Sequence, residues 1–198
     1  GVAEEADNSP LFMLPEIRRK IEVVVKKVCT LEAYCNDPSS SLFPHQCLND
    51  SFLETSVEGE CVWIHAPRDK LRNALVHYVR GKDKRPLATS ALIVTPHSIG
   101  VKEAWTDALQ GMILIRQYSN TARVFGRVGK EGKFACPSGV DIWWDPPCPP
   151  PPTMLPKVSL GMLTALPYVV ATSDARKTGM LYDAVVDAQP VVALLDTG

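Results

Sequence analysis

The sequence predicts an α/β fold, a mixed sheet with helices packed on it, followed by a short all-β segment at the C-terminal end. Three observations lead there. Through residues 11–145, apolar residues at helical spacing alternate with short β-branched apolar runs. Six prolines fall within residues 146–152, and the stretches beyond them read as strands with no helix among them. The order strand, helix, strand, helix and then several strands is that of an α/β sheet with an antiparallel edge.

Pro15 and Glu16 open the first predicted helix, in which Ile17, Ile21, Val24, Val25 and Val28 form one face. Arg18, Arg19, Lys20, Glu22, Lys26 and Lys27 take the other face. Residues 36–41 are turn-rich, and residues 60–65 (ECVWIH) read as a short buried strand. A second helix is expected from about Arg68 to Arg80, with Leu71, Ala74, Leu75, Tyr78 and Val79 inward and Gly81 as its stop. Residues 89–95 (TSALIVT) suit a central strand, and 101–110 a short helix closed by Gly111. Residues 112–117, 122–128 and 140–144 read as strands, with a turn at 129–132 between the last two. A proline-rich linker at 146–157 then holds extended polyproline II structure, and residues 165–171, 179–188 and 190–195 read as three strands.

Composition narrows the possible roles. With 198 residues, 45% apolar and 22% charged, the chain can bury a core but cannot hold a large multidomain enzyme. Residues 1–67 carry 5 basic and 11 acidic side chains, 68–133 carry 13 and 5, and 134–198 carry 3 and 6. The middle third is therefore where any polyanion would sit, the alternative being a solvated surface. Residues 1–10 read as a flexible N-terminus without a secretory signal pattern. No apolar run approaches the ~20 residues that span a bilayer, so no membrane association is expected. Six cysteines without a CxxC pair suggest an intracellular, reducing compartment, cytoplasm or nucleus. Cys35, His45 and Cys47 lie close in sequence but lack the fourth ligand and paired spacing of a zinc site, so no metal is expected.

Two resemblances rest on particular stretches. Residues 191–198 (VVALLDTG), after 180–190 (MLYDAVVDAQP), resemble the first catalytic strand of the retropepsins, the retroviral-type aspartic proteases. The resemblance implies an incomplete retropepsin-like segment over 158–198, with Asp196 as a latent protease aspartate and no protease activity, since such enzymes need two carboxylates sharing a proton. The larger segment, 11–145, resembles the phage-type DNA N6-adenine methyltransferases in the degenerate form found beside retropepsins in retroelement polyproteins. The matching stretches are 31–36 (LEAYCN), 50–53 (DSFL), 62–67 (VWIHAP) and 90–96 (SALIVTP). This resemblance implies a methyltransferase (Rossmann-like) sheet, with Glu32 at the acidic cofactor-binding position.

Methylating an exocyclic amine requires acceptors for its hydrogens and an aromatic surface against the flipped base. Where the family has N-P-P-Y, this chain has His65, Ala66, Pro67 and Arg68. A neutral imidazole accepts one hydrogen bond, while Arg68 can stack on a base or meet phosphate. Asp145-Pro146-Pro147, after Trp143 and Trp144, repeats the amino-methylase signature but runs into Cys148 and the linker. The glycine-rich residues 125–132 precede a strand and read as a hairpin turn, not a cofactor loop. Arg80, Lys82, Lys84 and Arg85 form a basic loop suited to helix termination or phosphate contact. His45, His77 and His97 have no Ser, Cys or Asp partner at a motif spacing, and Trp63, Trp105, Trp143 and Trp144 read as packing residues.

The expectation is a retroelement-type polyprotein fragment with a catalytically inactive methyltransferase-like domain acting in nucleic-acid binding or assembly, without a cofactor. One alternative is an active adenine methyltransferase using S-adenosylmethionine. The other is a domesticated scaffold whose C-terminal strands dock on a protein partner by strand addition. Oligomeric state is left open by the sequence.

Overall fold

Every residue of Cys61–Ile64 (β4) is buried, and so are Ser90 to Thr95 of the strand Ser90–Pro96 (β5). Successive strand side chains point to opposite faces, so strands of this kind need cover on both sides. The computed structural model, which describes residues 9–35, 43–46, 49–98 and 100–148, supplies that cover.

The main sheet has six strands in the order β3 (His45–Gln46), β2 (Leu31–Ala33), β4, β5, β9 (Val140–Asp145) and β6 (Ile113–Tyr118). The first four are parallel neighbours. β9 is antiparallel to both β5 and β6, so β6 runs with the parallel set. On one face lie the helix Leu71–Lys82 (α2) and two 3-10 segments, Asn49–Glu54 and Thr106–Leu109. There Val62, Ile64, Ala91 and Ile93 pack against Phe52, Leu75 and Tyr78. On the other face lie the helix Pro15–Val25 (α1) and a small antiparallel sheet of β1 (Leu11–Met13), β7 (Phe125–Arg127) and β8 (Lys130–Phe134). Cys61, Trp63, Leu92, Val94 and Ile142 meet Met13, Ile21 and Phe125 on that side. No helix among the described residues is long and apolar enough to cross a membrane.

Several elements differ from the sequence reading, each for a physical reason. α1 ends at Val25 because Lys26 takes a left-handed conformation (φ 54°). Val28 therefore lies beyond the helix, and Val24 and Val28 are exposed. The buried stripe contains Arg18 and Ile21, since Arg18 finds partners inside that its sequence neighbours do not. α2 begins at Leu71 and runs through Gly81. Gly81 is a point of close approach: a Cβ there would lie 2.3 Å from Val57 Cγ2. Of the helix expected at 101–110, only the four-residue 3-10 segment at Thr106–Leu109 forms, closed by Gly111 at φ +86°. The turn expected at 129–132 is shorter, at Val128 and Gly129 (φ +75°), and Lys130–Phe134 continues as a strand. Its hairpin partner β7 belongs to the small sheet, whereas β9 inserts between β5 and β6. The reversed strand is thus second from the edge. The turn expected at 36–41 lies outside the described residues, as do the linker beyond Cys148, the three expected C-terminal strands and Asp196.

Candidate functional site

The topology changes direction between β2 and β4: from β2 the chain moves outward to β3, and from β4 it moves the other way to β5. In open α/β sheets ligands bind outside the carboxyl ends of the strands at such a point. A cavity of about 530 Å³ opens along that carboxyl edge, one strand over from the switch point, at the ends of β4 and β5. Its walls include His65, Ala66, Pro67 and Arg68 following β4, Thr95 and Pro96 closing β5, Arg127 from β7, and Cys136 and Pro137 ahead of β9. The structure therefore gathers the four residues singled out by sequence into one concave surface.

Each of the four has a distinct environment. The His65 ring is part-buried and lies 5.7 Å from the Phe125 ring. Burial, and secondarily the Arg18 charge, lower its pKa to about 4, so the imidazole is neutral at pH 7. Among the described residues no protein group hydrogen-bonds its ring nitrogens, which leaves one acceptor nitrogen for a ligand. Ala66 is buried, while Pro67 and Arg68 are exposed. The Arg68 guanidinium sits 5.3 Å over the Trp105 ring and 2.6 Å from Glu103 Oε1. It is held over an aromatic ring, and its charge is already partnered, so the expected phosphate contact is weakened.

Glu32 is not open to a cofactor. Arg18, 3% exposed, donates to Glu32 Oε1 at 3.0 Å and lies over the Phe43 and Trp63 rings, 4.7 and 5.8 Å from their centres. This buried pair engages the carboxylate to which the resemblance assigns a cofactor role. Lys82 and Lys84 of the basic loop have protein partners as well. Lys82 is buried, with Nζ 2.7 Å from Asp145 Oδ2 and 2.6 Å from the Pro146 carbonyl oxygen, out of reach of phosphate. Lys84 Nζ lies 3.5 Å from Glu58 Oε1, and the Arg85 guanidinium packs against Gly59. Arg80 and Lys84 line a separate cavity of about 290 Å³ shared with Glu54 and Glu58, so acids dilute its positive charge. Asp145 also accepts from Tyr78 Oη at 2.7 Å. Burial first, then the neighbouring Asp145 charge, raise the Tyr78 pKa. The D-P-P stretch is thereby a strand end locked to α2.

Sequence reasoning missed two features. Asp141, fully buried, accepts from His97 Nδ1 at 2.8 Å, Gln117 Nε2 at 2.9 Å and the Ser98 amide at 3.3 Å. His97 thus has an acidic partner 44 residues away. A carboxylate inside the apolar run 140–144 was the available signal, because a buried charge needs partners. His45 likewise meets Glu60 Oε1 at 3.1 Å, and His77 Nε2 lies 2.8 Å from the Thr55 carbonyl oxygen. The other missed feature is the arrival of Arg127, whose guanidinium donates to the Ser9 carbonyl at 2.6 Å. Trp63 and Trp105 are buried, and Trp143 and Trp144 are half-buried. Among the described residues no group of three or more His, Cys, Asp or Glu side chains is placed to hold a metal ion. Cys47 of the three residues considered for zinc lies outside the described residues.

No family model, curated protein or solved structure matches this chain.

Proposed function

We propose that residues 11–145 form a methyltransferase-derived domain that binds nucleic acid through the cavity of His65 to Arg68 and does not transfer a methyl group. The observation that carries this reading is the cavity itself, with a neutral imidazole, unpartnered among the described residues, in its wall beside a guanidinium over an indole. Such groups hydrogen-bond and stack on a planar base. The engagement of Glu32 by Arg18 removes the acidic group that the resemblance assigns to cofactor binding. A mostly parallel sheet with a helix on each face supports the Rossmann-like type. In the proposed setting, a retroelement-type polyprotein, the domain holds nucleic acid during assembly.

A second reading has one observation in its favour. An active adenine methyltransferase with His65 in place of Asn would need the same neutral acceptor.

Binding of fluorescent adenine-containing single-stranded and duplex oligonucleotides to the full chain tests both readings when labelled S-adenosylmethionine is added in parallel. Saturable binding is expected, weakened about tenfold by His65→Ala, in line with the loss of one base contact, with no label transferred. Absence of binding at low salt, or equal affinity for wild type, His65→Ala and Arg68→Ala, would remove the binding reading. Transfer of label would replace it with the enzyme.

A further inference from the structure

A second pair of side chains lies near the amino ends of β2 and β4, at the other edge of the sheet from the cavity. Cys29 precedes β2 and Cys61 opens β4, and their sulfurs are 3.6 Å apart. Both residues are buried. The backbone around them is pinned: the Thr30 amide donates to the Cys61 carbonyl at 2.8 Å, and the Cys61 amide donates to Thr30 Oγ1 at 3.0 Å. The remaining approach of the two sulfurs is a matter of side-chain rotation within a fixed frame. Hydrogen bonding with Cys29, against the opposing effect of burial, holds the Cys61 thiol below its ordinary range, while Cys29 is pushed above it. Cys61 is therefore the sulfur that ionises first.

We propose that Cys29 and Cys61 are a dithiol that a peroxide converts to a reversible disulfide. The Cys61 thiolate attacks one peroxide oxygen; the O–O bond breaks, Cys61 becomes a sulfenic acid and, with one proton taken up, the other oxygen leaves as water. Cys29 then attacks the Cys61 sulfur, its thiol proton leaves with the displaced hydroxide as a second water, and the S–S bond forms. Two electrons pass from the sulfurs to the peroxide, one net from each. The peroxide reaches the pair by opening of the short segment after α1, where Val28 is 72% exposed. Closing the bond staples the α1–β2 connection to β4 and encloses β2, β3 and the 3-10 helix at Asn49–Glu54 in one covalent loop.

The test uses the reduced full chain, treated with stoichiometric hydrogen peroxide and then digested for peptide mapping by mass. The expected result is a Cys29–Cys61 cross-linked peptide that lacks two hydrogens and is restored by dithiothreitol. A rise in Tm of about 5 °C or more should accompany it, since a loop of this length constrains the unfolded chain. Cys29→Ser and Cys61→Ser should each abolish the cross-link, and Cys148→Ser should keep it. Both thiols still alkylatable after oxidation and denaturation, a sulfinic acid in place of a cross-link, or either cysteine bridged to a different partner would overturn the proposal. The wild-type map decides the matter even where a serine variant fails to fold.

Discussion

At pH 7 the His65 imidazole is neutral because it is withdrawn from water beside the Arg18 charge. That depression has a consequence for stability. With the folded pKa near 4 and the ordinary value at 6.5, the unfolded chain takes up this proton first as pH falls. The contribution is complete above about pH 6.5 and is lost on descending toward pH 4. The wild type should lose up to about 3 kcal/mol more than His65→Gln across that window, read from urea midpoints at each pH. Parallel stability curves for the two proteins would contradict the assignment. His65 itself stood out in the sequence, because it follows a short buried strand where the resembled family has Asn. Its neutrality did not, because Arg18 comes from a helix that the sequence pattern turned toward solvent. Nothing local to residues 15–28 reveals that Glu32, Phe43 and Trp63 wait for a guanidinium.

Among the elements, α2 shows how packing overrides local signals. Gly81 looked like a helix stop, yet the helix passes through it because its missing side chain makes room for Val57. Gly81→Ala should therefore destabilise by about 1–3 kcal/mol, although alanine is the better helix former. Val57→Ala in the same chain should recover part of that loss, and a double-mutant cycle in urea measures the coupling. Purely additive effects would show that the contact is not what limits position 81. The last turn of α2 carries the second test. Lys82→Met leaves Asp145 buried beside Tyr78 without its cation, at an expected cost of about 3 kcal/mol. A cost below about 1 kcal/mol would mean that Asp145 is solvated in the folded protein. The existence of α2 and its inward residues Leu71, Ala74, Leu75 and Tyr78 were legible from periodicity. Its ends, and the burial of Lys82, were set by partners at Val57 and Asp145, distant in the chain.

For the molecule as a whole, the mixed α/β character was legible because both faces of β4 and β5 are apolar. The insertion of β9 between β5 and β6, and the separate sheet of β1, β7 and β8, were not. Strand order depends on which edges meet after collapse, and three-residue strands carry too little pattern to announce their neighbours. The sheet order is nonetheless what gives the chain a site, because it brings the ends of β4 and β5 together with Arg127 and Cys136 around one cavity. The proposal that this cavity receives a base is tested most directly by following histidine ring resonances of the 15N-labelled full chain during titration with adenine-containing single-stranded DNA. His65 should shift saturably while His45 and His77, away from the cavity, stay in place. A His65 signal unmoved at saturating DNA, or shifts confined to the other histidines, would contradict the account.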